Sequence, residues 1–395
     1  FGQFPLWNPY YCGGNAQLGN PQTQFFSLAT PVSLLAGAAI GIKAHIFIHY
    51  LLGLYGAWRL ARSHGLQALR AFGAAVVFGL SGFFAMRAGG GHSAFLPFFF
   101  LPWAALFYDA GKTHLAGGVA LGLTLALQVM EGGMYPFSLT GGMLAFLAAF
   151  DLWTRPISRR GVVRTALVAL GVLLLAAAVK LVVVLEFTSE FPRQVPIKDS
   201  LNLTRVLSMF VGRATARQCE GCVYVWPEYI NYVGPLVLAV FIFSLGRLGS
   251  LQWRRAYVVA ALATLVLIGD HGPWSPYVLL HNVPPYDSLR VPGRWAILVV
   301  LQMALLFGAF LDDLPGWLSR RGLTPSRATL VTVAILGAVG LDMMLQNGKL
   351  WAPGFQEIPP PVTSEPFRQE RGNASTAFQD VRRNVGNVDC YENVQ

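Results

Sequence analysis

Runs of about 20 apolar residues recur from one end of this chain to the other, each long enough to cross a hydrocarbon core of about 30 Å as a helix. In lipid the backbone N–H and C=O groups of such a run must be bonded within the segment, which leaves the helix as its fold. Spanning helices are expected at about 43–62, 66–86, 93–109, 114–131, 135–153, 163–186, 230–249, 254–270, 293–312 and 326–346. The charged fraction, 12%, is half the roughly 25% of soluble domains. The expected class is an all-α polytopic membrane protein of about ten transmembrane helices.

The net charge of +10 does not point to nucleic acid, because the basic residues do not cluster on a polar surface of the kind that binding needs. They fall in alternate short connections. Arg59, Arg62 and Arg70 flank the first, Lys112 sits in the second, and Arg155, Arg159, Arg160 and Arg164 crowd the third. Arg247, Arg254 and Arg255 fill the fourth, and Arg320, Arg321 and Arg327 the fifth. By the positive-inside rule these connections face the cytoplasm, so the long polar loops and both ends of the chain are expected outside it.

Three regions follow. Residues 1–42 read as an outer loop with an interfacial or re-entrant helix, 43–346 as the transmembrane domain, and 347–395 as an extracytoplasmic segment that stops without a closing pattern. An outward first loop implies a helix before it, so the chain is expected to be a fragment of a longer protein.

Chemistry is sought on the outer side, where the carboxylates are Glu131, Glu186, Glu190, Asp199, Glu220, Glu228, Asp270 and Asp287. Glu228 precedes a helix, where it complements the dipole, and Glu131 precedes two glycines at a helix end. Arg290 and Arg294 flank Pro292 at a helix mouth, placed either for bidentate phosphate contact or for snorkelling to headgroups. Lys180 lies within GVLLLAAAVKLVVVLEF, with Glu186 about two turns on; at such depth it serves either a buried structural pair or a lipid phosphate. His45 and His49 share one helix face, but residues 46–48 are Ile, Phe and Ile, so no local carboxylate completes a metal motif and two rings packed between helices are expected. His92 and His271 lie in outer loops. A divalent metal stays open as a cofactor, with no metal ligand assigned. Cys219 and Cys222 form CEGC, short of the four ligands of a zinc site, and a disulfide is the plain expectation outside the cytoplasm. With Cys12 and Cys390 the pairing is undetermined.

Several strings resemble the YfhO-like bacterial membrane proteins, which share the GT-C glycosyltransferase architecture. They are PLWNPYYCGGNAQLGNPQ at 5–22, GGHSAFLPFFFLPWAAL at 90–106, WPEYINYVGPLVLAV at 226–240, GDHGPWSPYVLLHNVPPYDSLRVPGRW at 269–295 and NVGNVDCYENVQ at 384–395. The resemblance implies a multi-pass protein of the bacterial inner membrane that transfers sugar from a lipid-phosphate carrier at the outer face. Such a reaction needs a catalytic carboxylate, and on the outer side the expected site is a groove with a substrate loop including Trp7, Asn8, Asn20, Gln22 and His92 and phosphate contacts from Lys180, Arg290 and Arg294. GT-C enzymes usually carry that carboxylate in the first outer loop, whereas residues 1–42 contain no Asp or Glu, which leaves Glu131 and Glu228 as candidates. The partners implied are a lipid-linked sugar and membrane lipids, without nucleic acid. Two other classes are open: a catalytically silent subunit mated to other proteins in a membrane complex, and a lipid or solute transporter. A transporter would show inverted repeats with broken helices at matching positions, and the sequence shows none.

Overall fold

The computed structural model describes residues 6–10, 13–154, 159–193, 195, 197–213, 223–351, 366–371 and 384–387. Arg155, Glu220 and all four cysteines lie outside the described residues, and so does the cysteine pairing expected above.

Helices dominate. In chain order they are α1 (Thr30–Ala36), α2 (Ala38–Ser63), α3 (Ala68–Gly79), α4 (Gly82–Gly89), α5 (Leu101–Gly111), α6 (Leu115–Met130), α7 (Met134–Thr154), α8 (Arg159–Ala176) and α9 (Ala178–Glu190). They continue with α10 (Leu203–Val211), α11 (Pro235–Phe243), α12 (Leu251–Leu267), α13 (Pro276–Leu280), α14 (Ala296–Arg320) and α15 (Pro325–Trp351). A 3-10 stretch, Ser93–Phe100, leads into α5, and another, Pro292–Trp295, leads into α14. Each apolar segment read from the sequence falls on one of these helices or a pair of them. Among the described residues five helices are long and apolar enough to cross a membrane, and two further pairs qualify if each bent pair is one span. Leu115–Met130 and Pro235–Gly249 are apolar but shorter. The chain is thus an all-α protein with several helices fit for membrane insertion.

The packing explains the composition. Every residue from Val291 to Ala309 is buried, so the start of α14 is apolar on all sides because all of it is core. The outer face is apolar too: Leu167, Leu170 and Leu175 on α8 are 65%, 50% and 83% exposed, and Leu330 and Leu345 on α15 are 68% and 63% exposed. Belts of this kind are a liability in water and the normal surface in lipid.

The two bends contain no proline. Between α3 and α4 the helix turns by 42°. There the Gly82 amide donates to the Tyr232 carbonyl (2.8 Å), and Asn347 Nδ2 donates to the Leu80 carbonyl (3.0 Å), so neighbours satisfy backbone groups at the break. Between α8 and α9 the axis turns by 82° at Ala177, which places Lys180 in the first turn of α9.

Two small sheets sit at the chain's extremes. Strands β1 (Trp7–Asn8) and β2 (Asn15–Ala16) pair antiparallel, with Trp7 opposite Ala16. Strands β3 (Arg368–Glu370) and β4 (Val385–Asn387) pair parallel, with Arg368 opposite Val385. The second sheet rests on the first loop, where Tyr10 OH donates to Asn384 Oδ1 (2.8 Å) and Gln369 Nε2 donates to the Gly13 carbonyl (3.0 Å). The helix α1 between that loop and α2 buries none of its residues, and Leu34 and Leu35 are 81% and 90% exposed.

Candidate functional site

The loop that follows β2 is held by two elements distant in sequence, α9 and the end of α6. Lys180, 1% exposed, donates from Nζ to the carbonyls of Asn20 (2.8 Å) and Thr23 (3.3 Å). Helix α6 ends in the sequence Glu131-Gly132-Gly133, and Gly132 takes φ +71°, the left-handed turn that glycine allows at a helix end. A Cβ there would stand 2.4 Å from the Gln22 carbonyl oxygen, so the turn is pressed against the loop backbone. Glu131 then accepts the Leu28 amide on Oε1 (2.9 Å).

The other oxygen of Glu131 lies 2.5 Å from His49 Nε2, with both side chains fully buried. His49 Nδ1 is 2.8 Å from the His45 carbonyl, which can only accept, so Nδ1 carries a hydrogen. His45 Nδ1 meets Ser27 Oγ at 2.6 Å, and its Nε2 has no hydrogen-bond partner. The two rings stand 4.3 Å apart, centre to centre. The histidine pair expected from the sequence is therefore packed between helices, and the carboxylate it lacked locally comes from the far end of α6.

A second cluster gathers about Glu228. Arg294 binds it bidentately, Nε to Oε2 (3.0 Å) and a terminal nitrogen to Oε1 (2.8 Å). Arg87 adds a contact to Oε2 (2.8 Å) and another to the Glu228 carbonyl (3.1 Å). Both guanidiniums stack over the Phe95 ring at 4.8 Å, and Arg294 lies 4.1 Å from the centre of Tyr135. Burial alone would raise the Glu228 pKa, but Arg87 and Arg294 outweigh it and hold the carboxyl at about 2. Two cations against one anion leave the cluster with a surplus positive charge, and the Arg87 Nε hydrogen has no partner.

Asp199 is tied to Tyr229, the residue that follows Glu228. The stretch around it pairs with the end of α12, through a bridge between Ser200 and Gly269 and a bond from the Asp270 amide to the Asp199 carbonyl (2.8 Å). Its carboxyl is 1% exposed; Oδ2 accepts from Tyr229 OH (2.8 Å), and Oδ1 has no partner. Burial pushes its pKa up, against the opposing pull of the Tyr229 hydroxyl and Arg205. Tyr229 is thus the link between Asp199 and the chain at Glu228.

The residues singled out from sequence thus divide. Glu228 and Arg294 meet directly, His92 is exposed beside them within the field of Arg87 and Arg290, and the Arg290 amide donates to Tyr135 OH (3.2 Å). Lys180, Asn20 and Glu131 meet through the loop backbone, and neither Lys180 nor Glu131 shares a hydrogen-bond partner with Arg294. Lys180 ends on carbonyls, while Glu186 is exposed. Asn20 Oδ1 accepts the Gln22 amide (2.9 Å), Asn8 Oδ1 accepts the Tyr10 amide (3.0 Å), and Trp7 is 59% exposed. The segment Ser93–Phe100 joins the two clusters, since Phe95 underlies the guanidiniums and Phe100 packs on His49 at 5.4 Å. Arg87 falls just past the end of the expected span 66–86, and Asp199 was one outer carboxylate among eight; only the fold separates it from the others. No family model matches the chain, and no curated protein aligns with it.

Proposed function

We propose that this chain is a membrane glycosyltransferase of GT-C-like architecture, with about ten spans in a bacterial inner membrane and its long loops outside the cytoplasm. It takes the sugar from a lipid-phosphate carrier. The observation that carries the reading is Asp199, a buried carboxyl with one open oxygen, bonded to the residue that follows Glu228 of a cluster with surplus positive charge. Transfer to a hydroxyl needs a base for its proton and a cationic site for the departing phosphate. Asp199 Oδ1 takes the acceptor's proton, the acceptor oxygen bonds to the anomeric carbon, and the bond from that carbon to the phosphate oxygen breaks. The phosphate leaves toward Arg294 and Arg87, whose surplus positive charge offsets the charge it gains. Glu228, ionised down to about pH 2, is a poor base and serves as their counter-ion.

The test is sugar transfer by the purified full chain in proteoliposomes that contain polyprenyl-phosphate hexoses with a radiolabelled sugar. Asp199→Asn should lower turnover by about 100-fold or more while donor binding persists. Wild-type turnover in that variant would remove Asp199 from the reaction. If the wild-type chain consumes no lipid-phosphate hexose, the silent-subunit reading takes its place. One observation favours that second reading: Glu131 and Glu228 are both committed to internal ion pairs, as a scaffold with protein partners would need.

A further inference from the structure

We infer that Glu131, His45 and His49 form a binding site for one divalent transition metal ion, of the zinc type, under the first loop. The three residues each offer one ligand atom, and those atoms lie within 4.8 Å of one another in a fully buried setting. Two imidazoles and a carboxylate form a set that binds zinc with a fourth position open. The inference does not rest on sugar transfer and stands or falls by metal content alone.

The surroundings are those of a built site. Metal-bound histidines donate their second ring hydrogen to a fixed acceptor, which sets the tautomer. His49 Nδ1 does so to the His45 carbonyl (2.8 Å), leaving Nε2 as the ligand atom. Ser27 Oγ holds His45 Nδ1 (2.6 Å), which leaves Nε2, a nitrogen without a hydrogen-bond partner, as that ring's ligand. A backbone hydrogen-bonding group of Ser93 also faces this ring. The Leu28 amide fixes Glu131 Oε1 (2.9 Å) and leaves Oε2 to face the histidine. With a hydrogen already on Nδ1, the 2.5 Å approach of His49 Nε2 to Oε2 requires a hydrogen between them. A proton fills that place when the metal does not.

Metal entry exchanges the ion for that proton. The His49 Nε2 and Glu131 Oε2 atoms each gain a bond to the metal, and one proton leaves to solvent. Bonds of about 2.0–2.2 Å in a tetrahedral site hold ligand atoms roughly 3.3 Å apart. The pair must therefore open by about 0.8 Å from its present 2.5 Å. The motion falls on the Glu131 side chain and the first turns of α2.

The experiment uses the full chain, purified in detergent, with Cys12, Cys219, Cys222 and Cys390 all changed to Ser so that no thiolate competes. After stripping with a chelator, the protein is titrated with Co²⁺ and Zn²⁺, followed by visible absorption and elemental analysis. One ion per chain, with the d–d bands of a low-symmetry four-coordinate cobalt site and release of one proton, is the expected result. Glu131→Gln should abolish the bands, and Ser27→Ala, which keeps all three ligands, should weaken binding about 10-fold. If Glu131→Gln fails to fold, the stripped wild-type ligand set and Ser27→Ala decide the matter. A wild-type titration without bands or stoichiometric metal, or bands that survive in folded Glu131→Gln, would overturn the site.

Discussion

Replacing Glu228 by Gln removes one charge from the most tightly built ion cluster in the protein, and its cost can be worked two ways. The Glu228 carboxyl drops from its ordinary 4.5 to about 2 in the fold, against the burial that opposes ionisation. At about 1.4 kcal/mol per pH unit, that difference corresponds to about 3 kcal/mol. Independently, breaking a buried ion pair on one side costs about 3–5 kcal/mol, because the remaining charge is left uncompensated. Arg87 and Arg294 are 1% and 4% exposed, so the residual charges have no water to turn to. Gln keeps one acceptor, so about 3 kcal/mol is the expected loss for Glu228→Gln at neutral pH. The sign with pH follows from the depressed value. The stabilisation is fully present above pH 4.5 and is lost as pH falls through about 2. Reversible denaturant titration of the full chain in mixed micelles, from pH 7 to pH 2, measures both effects. Wild type should lose stability across the lower part of that range, and Glu228→Gln should be flatter by this one group's share. A variant within 1 kcal/mol of wild type, with an unchanged pH slope, would refute the electrostatic account.

Three further outcomes are expected. Lys180→Met removes the amine that holds the Asn20 and Thr23 carbonyls, so amide exchange across residues 20–28 should speed up at least 10-fold while the helices stay protected. Gly132→Ala meets both a left-handed backbone and the Gln22 carbonyl, so a loss of about 2 kcal/mol or more is expected, with the Leu28 amide losing protection first. For orientation, a single cysteine at Trp274, which is 84% exposed, should react with an impermeant maleimide added outside intact cells. One at Gly322, between the basic residues of the last short connection, should not. The reverse labelling pattern would invert the proposed topology.

The helices were legible because their cause is local. An apolar run in lipid has one way to satisfy its backbone, and α2, α7 and α15 all fall where hydropathy places them. The bends were not legible, since the break at Leu80–Ser81 depends on Tyr232 and Asn347, more than a hundred residues away. The same distance in sequence hid the chemistry. His49 and Glu131 are 82 positions apart, and the i, i+4 histidine pair gave half of a ligand set whose other half only packing supplies. Lys180 was visible as anomalous, yet its true partners are main-chain carbonyls, which leave no trace in side-chain composition. Arg87 was not singled out, because it follows directly on the apolar segment 66–86 and its partners lie far along the chain. For Asp199 the distinguishing feature is an oxygen without a partner, a property of the surroundings and not of the residue.

The contact between Tyr10 and Asn384 carries a parity argument. A chain that departs from one side of a membrane and comes back to the same side has crossed it an even number of times. Tyr10 stacks edge-on against Phe367 at 5.5 Å and bonds to Asn384, so the chain before α1 and the chain after α15 share a side. Five crossings and seven, the counts given by the long helices alone and with both bent pairs, are odd. The condition is met if one bent pair re-enters on its own side, which leaves six, or if a shorter helix adds a crossing. Helix α6, with 16 residues, is about 24 Å long, several ångströms short of a typical hydrocarbon core. If α6 is such a crossing, its Glu131 end lies where the bilayer thins locally, or below the headgroups under the cover of the first loop. The histidines and the carboxylate would then meet at a depth reached from the lipid side as readily as from water.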